Sequence, residues 1–295
     1  MNQKVMRVFA AVLIFGLPAL LAAAIMVRAA WFELQIDFRP RVGPVPLPTA
    51  PELAGIRTVT IASVDAPPST AFFRAPTNGR VIVLLHGTGA DRAQMVPEAV
   101  ILARHGYGIL ALDWPGHGES GGKVCWDEGE RFALRRALNW VAAEPGVASD
   151  RIGVLGFSMG AWFAIQAAAR DTRIKALALT GAFADVRDTF ALGRWGWLSS
   201  WPAATAARWR GMRPGENRSI DLIGRVAPRP FLLVTGTADR GVPPESTRRL
   251  FEAASSPKSW WSVAGAGHGG YAAQDPQEYE RRLLALFDEA LSPQY

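Results

Sequence analysis

From residue 57 onward the chain alternates short, nearly continuous apolar runs with stretches of helical periodicity, and this restricts the fold more than any other feature. The apolar runs at 57–63, 70–74, 80–85, 107–112, 151–155, 174–179, 231–235 and 259–263 read as strands. Helical periodicity covers 92–104, 128–143, 159–170, 244–254 and 277–291. Strands that are apolar on both faces need cover on both faces, which a parallel sheet clothed by helices provides. The first two runs read as an opening hairpin, with Pro67 and Pro68 near its turn. The expectation is an α/β fold with a mostly parallel central sheet and helices on both faces. In such sheets chemistry collects beyond the carboxyl ends of the strands.

Residues 1–38 are set apart from this body. Residues 8–27 carry no charge and are bracketed by Lys4 and Arg7 before and Arg28 after. At 1.5 Å per residue such a helix matches the roughly 30 Å hydrocarbon core of a bilayer, and Pro18 within it is tolerated there. One N-terminal transmembrane helix is therefore expected, a single-pass anchor with the body on the extracytoplasmic side, because Lys4 and Arg7 favour a cytoplasmic N-terminus. The competing reading is a cleaved signal peptide with Ala22-Ala23-Ala24 at its cleavage site and a secreted or periplasmic product. The length of the run favours the anchor. Residues 39–52 form a proline-rich linker, stiff and extended. The folded domain is expected over 53–295.

Composition removes several function classes. A chain with 49% hydrophobic and 20% charged residues is not intrinsically disordered, and no 20–50-residue repeat suggests a solenoid or propeller. Of the net charge of +6, Lys4, Arg7 and Arg28 supply half before the body begins. The remainder shows neither a broad basic face nor a recognition motif, so no nucleic-acid partner is expected. Cys125 is the one cysteine, which excludes an intrachain disulfide and a Cys-based zinc site. No acidic cluster or closely spaced histidine pair suggests another metal, and no cofactor is expected.

The chemistry concentrates after the strands. Gly156-Phe157-Ser158-Met159-Gly160 lies between the strand at 151–155 and the helix at 159–170. A serine on so sharp a turn is raised above the sheet edge, and the helix N-terminus beside it favours negative charge. Such a nucleophile needs a base, and the base needs an acid that holds its tautomer. Of the four histidines, His105 reads as an exposed helix cap, while His86 and His117 read as buttresses of glycine-rich loops. His268, in Gly265-Ala266-Gly267-His268-Gly269-Gly270 after the last strand, is the candidate base. Asp239, after the strand at 231–235, is the candidate acid, with Asp185 as the alternative. The order Ser158, Asp239, His268 favours Asp239. The oxyanion of an acyl-transfer intermediate would be held by the backbone N–H groups of Met159 and of Thr88, in His86-Gly87-Thr88-Gly89.

With Asp113-Trp114-Pro115-Gly116-His117-Gly118-Glu119-Ser120 and Gly236–Pro243 in their places, the sequence resembles the α/β-hydrolase superfamily over about residues 55–292. Within it, the chain looks most like the serine aminopeptidase-like and dienelactone hydrolase-like branch with an N-terminal membrane anchor. The resemblance implies a serine hydrolase acting on a small-molecule acyl substrate through an acyl-enzyme, with carboxylic esters ahead of peptides. Acyl transfer to another nucleophile, and a non-catalytic binding protein on the same fold, are the alternatives. It also implies that the stretch at about 184–230, with Trp195, Trp197, Trp201 and Trp209 among several arginines, is a short cap insertion over the site; an irregular connection with buried aromatics and a membrane-surface contact are the alternatives.

Overall fold

The computed structural model describes residues 12–37, 40–190 and 216–292, with residues 3, 4, 6, 205, 208, 209 and 213. Eight strands form one sheet: β1 (Arg57–Ile61), β2 (Ser69–Arg74), β3 (Val81–Leu85), β4 (Gly108–Leu112), β5 (Ile152–Phe157), β6 (Ile174–Thr180), β7 (Phe231–Gly236) and β8 (Lys258–Val263). Their spatial order is β8-β7-β6-β5-β3-β4-β2-β1. Only β2 runs against the rest, pairing antiparallel with β1 and with β4. This is the expected mostly parallel sheet, opened by the expected hairpin.

Alternation within single strands explains the cover on both faces. Val81, Val83 and Leu85 of β3 enter one core, while Ile82 and Leu84 enter the other. Two helices supply the second core, α2 (Val96–Arg104) and α7 (Pro276–Ala290), through residues such as Leu102 and Phe287. The first core is closed by α3 (Glu128–Ala142), α4 (Met159–Ala168) and α5 (Pro244–Ala253), through Leu138, Phe163 and Leu250. The chain passes from β3 to β4 on one side and later returns to β5 on the other. That reversal opens a crevice at the carboxyl ends of β3 and β5, where Gly87 and Ser158 follow their strands.

Two expectations about the N-terminal part change. Among the described residues no helix is long and apolar enough to cross a membrane. The transmembrane helix read over residues 8–27 therefore finds no support. Residues 8–11 lie outside the described residues, and Val12–Gly16 is π-helical. The helix α1 (Leu17–Asp37) continues through Arg28 to an acidic end. The uncharged run thus supplies α1 only with residues 17–27, about 16 Å at 1.5 Å per residue. The proline-rich linker is not a free spacer, and its end enters a 3₁₀ turn at Pro51–Leu53. Arg41–Val42 pairs in parallel with His117–Gly118. Val45 is buried, and its carbonyl accepts from Arg92. Arg92 is itself buried against Asp113, Glu119 and the Phe72 ring.

Candidate active site

The turn at Ser158 shows why the motif needs its glycines. Ser158 has φ 52° and ψ −113°, a region costing of order 1–3 kcal/mol that persists where surrounding structure enforces it. Here the enforcement is close packing of α4 onto the sheet. A Cβ on Gly160 would lie 2.1 Å from the Leu85 carbonyl oxygen, and one on Gly156 would lie 2.5 Å from Gly160. With both side chains absent, the helix starts directly above β3 and β5 and presents Ser158 at its N-cap.

Three remote segments meet there. The Nε2 of His268 lies 3.0 Å from Ser158 Oγ. Its Nδ1 lies 2.8 Å from Asp239 Oδ2. The Asp239 carboxylate is fully buried, whereas 28% of the imidazole is exposed, so the ring can reach a bound molecule. The other carboxylate oxygen, Oδ1, accepts the N–H groups of Gly241 and Val242, each at 2.8 Å. Those bonds fix the carboxylate plane and aim Oδ2 at the histidine. Phe157 lies against the imidazole, ring centroids 4.9 Å apart. Gly181 and Gly241 leave room for that ring on its other sides.

Asp185, the alternative acid, lies elsewhere in the network. Its Oδ1 accepts the Arg187 N–H at 2.9 Å, and its carboxylate pairs with the Arg187 and Arg218 guanidinium groups. It serves as the turn residue that Asp239 could equally have been.

The loop after β3 is held by neutral polar groups. Gly87 N–H donates to Gln94 Oε1 at 2.7 Å, a contact absent from the sequence reading. The Gly87 backbone passes so close to the turn that a Cβ there would be 3.4 Å from Ser158 Cβ. Thr88 is the next residue in the chain. The N–H groups of Thr88 and Met159 donate to no other described residue. His117 Nε2 accepts the Gly89 N–H at 3.3 Å while its Nδ1 donates to the Pro115 carbonyl. His86 donates from Nδ1 to the Gly87 carbonyl, 2.7 Å, and accepts the Trp114 N–H at Nε2, 3.2 Å.

These arrangements require neutral imidazoles. Burial, reinforced by the adjacent His117, pushes His86 from its ordinary 6.5 down to about 3, and burial likewise lowers His117. A depressed histidine pKa means that the unfolded chain binds the proton first, so stability falls as pH drops from about 6.5 to about 3. For His86 the limit is about 5 kcal/mol, to order of magnitude. His86→Gln, which keeps an acceptor near the Trp114 N–H but does not titrate, is expected to reduce the acid slope of stability by about 1.4 kcal/mol per pH unit. Urea unfolding at several pH values reads that slope, and an unchanged slope would remove His86 from the explanation.

A cavity of about 450 Å³ opens beside His268, between the start of α2 and the short helix α6 (Tyr271–Gln274). Met95, Pro97, Phe157 and Ala272 give it apolar walls, and Gln94 and Glu98 add polar groups. Its size suits a small organic substrate. Of the expected cap, Trp195, Trp197 and Trp201 lie outside the described residues, and Trp209 is 88% exposed.

Comparison with known proteins agrees with this architecture. The family model for the alpha/beta hydrolase fold matches residues 80–219. An uncharacterized protein of Mycobacterium tuberculosis is 26% identical over 274 residues, covering 92% of this chain and 91% of its own. A pimeloyl-[acyl-carrier protein] methyl ester esterase of Xanthomonas axonopodis pv. citri is 33% identical over 127 residues, 43% of each chain. The solved esterase of Pyrococcus furiosus superposes with a TM-score of 0.71 at 22% identity, over 86% of this chain and 100% of that one. The sheet order, the strained turn after β5 and these likenesses agree: this chain has the α/β-hydrolase fold.

Proposed function

We propose that the protein is a serine hydrolase that cleaves carboxylic esters of small acyl substrates. The observation that carries the reading is the continuous hydrogen-bonded line from Ser158 Oγ through His268 to Asp239, at 3.0 and 2.8 Å. In this reading Ser158 Oγ attacks the acyl carbon as its proton passes to His268 Nε2. Asp239 holds the imidazole by Nδ1–H and stabilises the imidazolium. The N–H groups of Thr88 and Met159 receive the developing oxyanion. Collapse expels the alcohol, which takes the proton from His268. Water, deprotonated by the same nitrogen, then attacks the acyl-enzyme and releases the carboxylic acid. A methyl ester esterase among the relatives supports ester over peptide cleavage.

The test is a panel of p-nitrophenyl esters and aminoacyl amides, with fluorophosphonate labelling and mass mapping of the labelled peptide. Ester turnover with the label on Ser158 is expected. Faster cleavage of the amides would make the protein a peptidase, and ester products trapped by an added alcohol would make it an acyltransferase. Absence of labelling would reduce the fold to a binding scaffold.

We further propose that the N-terminal segment attaches the enzyme to a membrane, the body lying on the extracytoplasmic side. Phe15, Leu20, Leu21 and Val27 are all more than 60% exposed, an apolar surface that a bilayer would cover. Hydrophobic attachment is not screened by salt, whereas attachment through surface arginines is. The protein is expected to stay in the membrane fraction at high salt and at its full 31.9 kDa. Deletion of residues 1–38 is expected to release an active enzyme. A mature N-terminus near Ile25 would instead mark a cleaved signal peptide.

A further inference from the structure

We propose that a groove at the C-terminal end of α4, the end opposite Ser158, is a second binding site that takes an oxyanion carried on an apolar body. The groove has a volume of about 370 Å³, with Phe132, Leu134, Leu138 and Phe163 at its base and Arg131, Arg135 and Arg170 around it. Its charges do not balance locally. Arg131 is bound to Asp127 and Glu128, and Asp171 is taken up by Arg173. That leaves Arg135 and Arg170 without a salt bridge among the described residues, although the Glu128 carboxylate, also in the lining, attracts both at longer range.

Arg135 lies over the Phe132 ring, 5.0 Å from its centroid. Arg170 donates only to neutral oxygens, the Gln166 carbonyl at 2.8 Å and Asn217 Oδ1. Partial burial and the nearby positive charges of Arg131 and Arg225 weaken the charged form of Arg170, partly offset by the Glu128 carboxylate. A third incomplete group belongs to the same lining. Gln166 is 1% exposed, and its Oε1 accepts from Arg131 at 3.2 Å, which fixes the amide orientation. Its Nε2 donor then has no acceptor among the described residues, and an unmade bond of that kind is costly in a buried setting.

Two guanidinium groups without a salt bridge and an orphaned amide donor beside aromatic side chains share one complement. A carboxylate, phosphate or phosphonate offers several acceptor oxygens that match the planar guanidinium fork. An apolar body attached to it would lie over the apolar part of the lining. An isolated inorganic ion would satisfy only half of the groove. The site is separate from the cavity beside His268, with which it shares no lining residue.

Phenylphosphonate joins both features in a molecule that forms no micelles, and inorganic phosphate and benzyl alcohol carry one feature each. Calorimetric titration of the full-length protein is expected to show saturable binding of phenylphosphonate at least about tenfold tighter than phosphate, a difference of about 1.4 kcal/mol, with benzyl alcohol silent. Arg135→Ala and Arg170→Ala should each weaken it about tenfold without changing ester turnover or thermal unfolding. Arg170→Lys should recover only part of the loss, because an ammonium lacks the fork. Ser158→Ala and fluorophosphonate-blocked protein should bind as wild type does. Loss of binding in either would place the probe in the active site and overturn the proposal. Equal binding of phosphate and phenylphosphonate, or no effect of both arginine variants, would also overturn it. So would retention on phosphatidylglycerol vesicles without binding of the soluble probe, which would make the arginines a lipid-facing surface and not a pocket.

Discussion

Ser158→Ala is expected to lower kcat for ester hydrolysis by about 10⁵–10⁶ and to abolish fluorophosphonate labelling, while leaving the fold intact. The magnitude follows from the role: without the nucleophile no acyl-enzyme forms, and only oxyanion stabilisation and substrate positioning remain. The fold should survive because the strained backbone at φ 52° is imposed by packing around Gly156 and Gly160, not by the hydroxyl. Alanine accepts that conformation about as poorly as serine does. Circular dichroism and thermal unfolding of the variant therefore serve as the control. A variant that retains more than about a hundredth of wild-type kcat would show that Ser158 is not the nucleophile, since that activity would far exceed what the rest of a triad site supplies.

The parts of this molecule legible in the sequence are those that local pattern determines. β3 and β7 are buried along their length and β5 as far as Gly156, so each appears as a mainly apolar run. The turn at Ser158 is legible because its two flanking glycines are demanded by contacts within one strand–turn–helix unit. The choice between Asp239 and Asp185 is different. Both follow a strand, and both accept a backbone N–H two residues on. What separates them is the arrival of His268 at one and of the Arg187 and Arg218 side chains at the other. The arginine two residues after Asp185 was a readable hint of a local ion pair, but the histidine contact spans 29 residues and depends on where β7 and β8 lie in the sheet.

The same limit accounts for the remaining differences. Gln94 supports the loop after β3 from a single turn of 3₁₀ helix (Arg92–Met95) ahead of α2, where an exposed polar residue gives no periodic signal. The linker's pairing with His117–Gly118 joins segments far apart in the chain, and its prolines predict extension without saying what it lies against. In the N-terminal segment an uncharged run indicates hydrophobicity but not helix phase. The described α-helix begins well inside that run and ends beyond it.

Asp239→Asn is expected to reduce kcat by about 10⁴, more than any other substitution that preserves side-chain shape at the site. The two bonds from Gly241 and Val242 both end on Asp239 Oδ1, and both are N–H donors. An asparagine must therefore turn its carbonyl oxygen toward them and its NH₂ toward His268. Facing a donor, His268 Nδ1 becomes an acceptor, and the ring proton moves to Nε2, 3.0 Å from Ser158 Oγ. That nitrogen can then no longer take the serine proton. The defect lies in the tautomer, so KM should change little while kcat collapses, and fluorophosphonate labelling should slow in parallel. Asp185→Asn makes the contrast. It removes ion pairs with Arg187, 49% exposed, and Arg218; partners so open to solvent contribute about 1 kcal/mol or less. Turnover should fall less than about tenfold, the range of an indirect effect worth up to about 1.4 kcal/mol. Steady-state kinetics on both variants decide the matter: if Asp185→Asn costs the larger factor, the acid of this site lies after β6 and the bond between Asp239 and His268 has another purpose.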